Sequence, residues 1–196
     1  MGVKVIRRRP VGDVSALPAD LHPLLRRIYA SRSVAGAEDL QLSLDRLIPV
    51  RQLGGIAPAV ELLCKHYELR TRIVIVGDFD ADGATSTALV VRQLKRLGFP
   101  AIDFLVPNRF EYGYGLTPEI VYLAHERFAP ALIVTVDNGI ASHAGVAAAR
   151  SLGIDTLITD HHLAGATLPE ANAIVNPNSP GDTFPSKALA GVGVAF

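Results

Sequence analysis

Three aspartates alternate in Gly77-Asp78-Phe79-Asp80-Ala81-Asp82-Gly83, and farther along stand Asp137-Asn138-Gly139 and Asp160-His161-His162. Carboxylates as close as Asp78, Asp80 and Asp82 repel at neutral pH, and in an extended segment all three face one side, so the cluster calls for cations. All-oxygen ligands favour magnesium or manganese, and histidines shift the preference toward manganese or another transition ion. Neighbouring imidazoles diverge. One of His161 and His162 can therefore ligate a metal while the other contacts a phosphate oxygen or donates a proton. Asp137 is of the type that bridges two metals, and capping the helix that begins near Ser142 is a compatible, purely structural role. Asn108-Arg109-Phe110-Glu111-Tyr112-Gly113-Tyr114-Gly115 adds a guanidinium able to hold phosphate bidentately and aromatics able to stack on bases. For Tyr112 and Tyr114, folding onto the core is an equal alternative.

These residues need a frame that brings them together. Each group follows an apolar run: Ile73-Val74-Ile75-Val76 before Asp78, Phe104-Leu105-Val106 before Asn108, residues 132–136 before Asp137, and Leu157-Ile158-Thr159 before Asp160. The run ends lie roughly 23 to 30 residues apart, about one strand-helix-strand repeat. Such repeats force a parallel sheet, whose ligands gather outside the carboxyl ends of the strands. Helical spacing over residues 84–97, closed by Gly98, the Thr117-Pro118-Glu119 helix start, and residues 143–152, closed by Gly153, supply the crossovers. The resulting expectation is an α/β domain, residues 71–196, with a parallel sheet and helices on both faces. A helical lead-in, residues 1–70, precedes it and carries helix-type spacing over residues 19–30 and 57–67.

Composition narrows the classes. Hydrophobic residues make up 49% of the 196, yet no apolar run approaches the roughly 18 that would span a bilayer, so a soluble, cytoplasmic protein is expected. The one cysteine, Cys64, excludes an internal disulfide and a thiolate metal cluster, and its place on an apolar helical stretch predicts a core position. Lys plus Arg and Asp plus Glu balance at 19 each, so net charge gives no argument for a polyanionic partner. With the acids concentrated at strand ends, Arg7, Arg8, Arg9, Arg26, Arg27, Arg92, Lys95, Arg96 and Arg109 are left to face phosphates. His22, His66, His125 and His143 read as surface or packing residues.

Two other chemistries use similar letters. An EF-hand calcium loop also opens Asp-x-Asp-x-Asp-Gly, but its twelfth position here is Leu89 rather than Glu, and it needs a helix where Ile73 to Val76 reads as strand. A phosphatase of the haloacid dehalogenase type would use Asp78 as nucleophile and Asp80 as acid, and would leave Asp82 and the paired histidines unexplained.

Taken together, Val76 to Thr87, Val106-Pro107-Asn108-Arg109, Val136-Asp137-Asn138-Gly139-Ile140 and Asp160-His161-His162 resemble the DHH phosphoesterase superfamily. Within it the chain is similar to the amino-terminal part of the bacterial single-stranded-DNA exonucleases. Supporting stretches include Ile174-Val175-Asn176-Pro177-Asn178 and the run from Phe184 to Gly193. The resemblance implies that Asp80, Asp82, Asp137 and His161 are metal ligands, with Asp137 bridging two manganese or magnesium ions. It makes Asp78 and Asp160 supporting carboxylates in the catalytic group and gives His162 the scissile phosphate. Asn108 and Arg109 would hold substrate phosphates or brace the site. The activity implied is metal-assisted hydrolysis, the cations lowering the pKa of the attacking water, with nucleotides removed from a 5′ end of single-stranded DNA in recombination and repair. Helicase and single-strand-binding protein are the implied partners.

The superfamily takes one more aspartate ligand well beyond the DHH motif, and after His162 only Asp182 offers itself, too near and in a proline-rich loop. The expectation is an amino-terminal fragment with an incomplete dimetal site, inactive or weak alone. A pyrophosphatase or an enzyme trimming short oligonucleotides or cyclic dinucleotides is the alternative within the fold, and a noncatalytic nucleic-acid-binding module is the alternative outside enzymology.

Overall fold

The structure, a computed structural model, describes residue 5, residues 7–8 and residues 10–196. Lys4 and Arg9 of the basic amino-terminal cluster, and the side chain of Arg109, lie outside what is described. Two compact units divide the chain, Met1–Ile48 and Pro49–Phe196. Among its described residues the smaller has one α-helix, α1 (Pro23–Ala30), opened by proline at its start and by His22, whose ring nitrogen accepts from the Leu24 N–H.

The larger unit is built on five parallel strands: β1 (Arg72–Gly77), β2 (Ala101–Leu105), β3 (Leu132–Val136), β4 (Asp155–Thr159) and β5 (Ala173–Val175). Their order across the sheet is β2-β1-β3-β4-β5. The apolar runs overlap the first four; interior β1 and β3, covered on both faces, are apolar at nearly every position, whereas the edge strand β2 carries Asp103 and an exposed Phe104. Ile73, Val74, Ile75 and Val76 are all fully buried. The fifth strand is a finding of the structure alone, since three residues are too few to show a pattern.

Helices α2 (Ile56–Glu68), α3 (Ala81–Arg96), α4 (Arg109–Tyr112), α5 (Pro118–Phe128), α6 (His143–Ser151) and α7 (Gly191–Ala195) complete the unit. One sheet face sends Val74, Val76, Ile133 and Ile158 into a cluster with Ile120, Val121 and Ala124 of α5 and Val146 and Ala149 of α6. On the other face Val134 and Leu157 share a groove with Leu63 of α2, Leu89, Val90 and Leu94 of α3, and Ala195 of α7. Helices therefore lie on both faces, as an α/β parallel sheet requires. α2, grouped with the lead-in on sequence, packs against β5 and belongs to the larger unit.

Two expectations need correcting. Cys64 is exposed, not core. α2 turns Ala59, Leu62 and His66 inward, positions three and four apart, and places residue 64 on the opposite side. α3 begins at Ala81, three residues before the expected start, because Asp80 caps it through a 3.0 Å bond from the Gly83 N–H to Oδ1. Asp82 thus lies in a first helical turn rather than in an extended segment with Asp78 and Asp80.

Candidate metal centre

The strand order reverses at β1, with β2 on one side and β3 on the other, and the crevice outside such a reversal is where parallel α/β sheets bind ligands. β1 and β3 deliver their acids there in register, Gly77 pairing with Val136. Gly83 lets α3 start tight against the strand end: a Cβ there would lie 2.5 Å from the Asp78 carbonyl oxygen. This short turn brings Asp78 and Asp80 beside Asp137, with ligand oxygens of the three within 4.8 Å of one another.

Asp137 leaves β3 with φ +61°, a left-handed conformation that aspartate adopts at some cost and that is concentrated at functional sites. Its amide still donates to Thr159 O at 3.0 Å. Asn138 braces the turn by donating from its amide group to Val76 O (3.1 Å) and Val136 O (2.9 Å), which ties the ends of β1 and β3. The Asp137 carboxylate is 2% exposed, and its Oδ1 accepts no hydrogen bond. Burial, then the charges of Asp82 and Asp80, push its pKa up to about 6 against the opposing pull of His161 and His162. Asp137 does not cap α6. Ser142 occupies that position, and its hydroxyl accepts from the Leu116 N–H instead.

The Asp160-His161-His162 loop leaves β4 with Asp160 1% exposed and fully employed. Its Oδ1 accepts from the His161 and His162 amides and from His162 Nδ1 (2.7 Å), and its Oδ2 from the Ile140 amide (2.9 Å). Burial favours neutral His162, but the hydrogen bond and charge of Asp160, then the charges of Asp137 and Asp78, outweigh it and raise the imidazole pKa. His162 is thereby oriented and biased toward its cationic form, suited to a phosphate oxygen. The Tyr114 hydroxyl stands 3.3 Å from the His162 ring nitrogens and 3.4 Å from Asp137 O. His161 turns the other way. Its Nε2 lies 3.1 Å from Asp137 Oδ1 and 3.7 Å from Asp82 Oδ2, within ion-pair range but without its N–H aimed at Oδ1.

Not every expected residue converges. Asp82 is beside His161, but its two oxygens accept the amides of Gly191 (2.8 Å) and Val192 (2.7 Å), and it stands outside both sets of ligand atoms that lie within 4.8 Å of one another, Asp78-Asp80-Asp137 and Asp137-His161-His162. Asn108 bonds to Glu111 and to the Phe110 amide and so caps α4. Tyr112 packs against the hydrophobic cluster. Asp182 accepts from Gly54 N, Phe184 N and Lys187 Nζ, a structural use that agrees with setting it aside as a ligand. Conversely, Asn176 and Asn178 hold the His162 and His161 carbonyls at 3.0 and 2.5 Å, a role sequence reasoning missed. The Asn-Pro-Asn turn shortly after the paired histidines was its available signal.

These residues fit divalent cations. A buried carboxylate oxygen without a donor, next to two further carboxylates and an imidazole nitrogen, is a costly arrangement unless a cation completes it. The donor set, mostly oxygen with imidazole, suits manganese or magnesium.

Comparison with known proteins gives concordant results. The model described as DHH family, N-terminal domain, matches residues 72–196. The chain is 61% identical over 191 residues to single-stranded-DNA-specific exonuclease RecJ of Escherichia coli K12, covering 97% of this chain and 33% of that protein. Among solved structures, exonuclease RecJ bound to manganese aligns with TM-score 0.68 and 37% identity, over 76% of this chain and 37% of that one. RecJ in complex with Mn2+ from Thermus thermophilus aligns with TM-score 0.66 and 34% identity, over 86% of this chain and 23% of that one. The chain spans about a third of the length of the curated relatives it matches.

Proposed function

Because this chain belongs to the DHH family, we propose that it is the metal-binding part of a hydrolase that removes nucleotides from the 5′ end of single-stranded DNA. The observation that carries the proposal is the convergence on Asp137: a buried carboxylate with an open oxygen, flanked by Asp78, Asp80 and His161, with the His162 imidazole, its pKa raised, close by in space.

In this reading Asp80, Asp82, Asp137 and His161 would hold manganese or magnesium ions, Asp137 serving as the shared carboxylate ligand. When bound, such cations lower the pKa of the attacking water and stabilise negative charge on the attacking and leaving oxygens. The chain's own residues do the rest. Asp160 fixes the His162 ring so that its other nitrogen, Nε2, which the Tyr114 hydroxyl also approaches, can donate to a phosphate oxygen, and Asp78 supports the carboxylate cluster. Tyr114, half-exposed beside His162, is placed to touch the substrate strand, and Asn108 and Arg109 supply contacts at its phosphates. Asn176 and Asn178 keep the two histidine carbonyls from drifting. The role belongs to recombination and repair in the cytoplasm, alongside a helicase and single-strand-binding protein. Among the described residues no single helix is long and apolar enough to cross a membrane, which is compatible with that setting.

The test is Mn2+-dependent release of nucleotides from long single-stranded DNA labelled at its 5′ end, using the reading frame at the length of its relatives, with Asp137→Ala as control. Stepwise release that spares duplex DNA and stops in the control is expected. Cleavage of pyrophosphate or dinucleotides without release from DNA would keep the metal centre and overturn the substrate.

A further inference from the structure

α7 brings no functional side chain to the metal centre, yet it touches two of its carboxylates. The first two amides of the helix, Gly191 and Val192, donate separately to the two Asp82 oxygens, at 2.8 and 2.7 Å. Gly191 also lies against Asp137: a Cβ there would fall 2.5 Å from Oδ1 and 2.8 Å from both Cβ and Cγ. Neither buried Gly191 nor the helix it opens needs glycine for its backbone, because its φ is not in the left-handed region and alanine is the stronger helix former. What excludes a side chain at 191 is the Asp137 carboxylate itself. Asp82, Asp137 and α7 are therefore interlocked, and the His161 imidazole reaches between the two acids.

We propose that Gly191, with the amides of α7's first turn, is a positioning device for the metal centre. The amides fix the rotation of the Asp82 carboxylate, and the missing Cβ fixes how closely Asp137 approaches it. Each Asp82 oxygen keeps a second lone pair for a cation. The inference rests on the reading of this centre as a cation site, and it adds that the spacing of the two acids is set by backbone some 110 residues from Asp82 in sequence.

The experiment compares Mn2+ affinity, by calorimetric titration, in the chain of this sequence and in Gly191→Ala. Gly193→Ala is the matched control, since the Cβ there meets only the Leu189 side chain, Cδ1 at 2.6 Å and Cγ at 3.0 Å, and neither acid. Gly191→Ala is expected to weaken Mn2+ binding about 10- to 100-fold, the usual loss when a group orienting a metal ligand is disturbed. Gly193→Ala should leave it within about twofold, below what disturbing such a group costs. Circular dichroism in EDTA checks that both fold. Should Gly191→Ala not fold, an amide-to-ester replacement at Val192, made by ligating a synthetic carboxyl-terminal peptide, deletes one donor to Asp82 and adds no atom. It should weaken Mn2+ about tenfold, as loss of a hydrogen bond to a charged group does. Unchanged affinity in Gly191→Ala, or in the ester form, overturns the inference while leaving the cation site standing. Absence of Mn2+ binding by the unmodified chain overturns the cation reading and the inference with it.

Discussion

Replacing Asp137 by asparagine separates what this residue does for function from what it does to folding. The folded structure holds its pKa at about 6, against an ordinary 3.8, chiefly because the carboxylate is buried and then because Asp82 faces it. A carboxylate whose pKa is raised by folding opposes folding wherever it is ionised. At about 1.4 kcal/mol per pH unit, the difference amounts to about 3 kcal/mol. Metal-free Asp137→Asn should therefore be more stable than the unaltered chain at pH 7.5, by up to about 3 kcal/mol in urea unfolding, since the near-isosteric amide carries no charge to desolvate. As pH falls from 6 the folded acid takes up its proton. The advantage of the variant should shrink and be gone below pH 3.8, where the unfolded acid is protonated as well. Mn2+ should offset that advantage: at a hundred times its dissociation constant it adds about 2.7 kcal/mol to the chain that binds it and nothing to the variant, and at a thousand times about 4.1 kcal/mol, enough to reverse the ranking. A variant less stable than the parent in EDTA at pH 7.5, or equally stabilised by Mn2+, would refute this account of Asp137.

Asp160→Asn should lower the His162 pKa, read by NMR of the imidazole protons, because the hydrogen bond and charge of Asp160 are the main influences raising it. Hydrolysis should fall with it, through kcat more than KM. Asn176→Ala, which frees the His162 carbonyl, should cost about 1 kcal/mol in unfolding and a larger share of kcat, measured side by side. At the amino end of β4, burial raises the Asp155 pKa, but bonds from Lys65 and His66 and their charges more than compensate and hold it below 3.8. Asp155→Asn should therefore cost stability above pH 4, and the cost should fade as acid protonates Asp155 in the parent, followed by urea unfolding from pH 7 to 2. Cys64, being exposed, should react stoichiometrically with a thiol reagent in the folded chain, with no loss of helical circular dichroism.

The sheet was legible in the sequence because two-sided burial writes parallel strands as uninterrupted apolar runs, and the polar residues after those runs had to meet at one edge. Capping chemistry was legible as well: Thr117 accepts the Ile120 amide at the start of α5. Two kinds of feature were not. Where one residue serves two purposes, its letter reports only one of them: Asp80 reads as a ligand and is also the cap that starts α3 early; for Tyr112, stacking on bases and packing on the core are equal readings of the sequence, and it packs against the core. Where backbone rather than side chain does the work, as at Gly191 and Val192, there is no letter to read. Cys64 fails for a simpler reason. An apolar residue on a helix is core or surface according to which three- and four-residue neighbours it shares, and 59, 62 and 66 exclude 64 from their face.

The acids of the metal centre differ mainly in how much of their hydrogen-bonding capacity the protein itself uses. Asp160 receives four donors, which immobilise it and leave it little to offer a cation, so its effect passes through His162. Asp82 receives two amides, one per oxygen, which orient it and leave half of each oxygen available. Asp80 takes one amide at its Oδ1. Asp137, buried most completely of the three acids proposed as ligands, has an Oδ1 with none. Burial of an unanswered carboxylate oxygen opposes folding, and the left-handed backbone at Asp137 opposes it further. Both are retained at the position where the ends of β1, β3 and β4 converge, with Asn138 tying two of those ends together. A fold that supplies donors to the surrounding acids and withholds them from the central one has left to a cation the bond that the protein does not make.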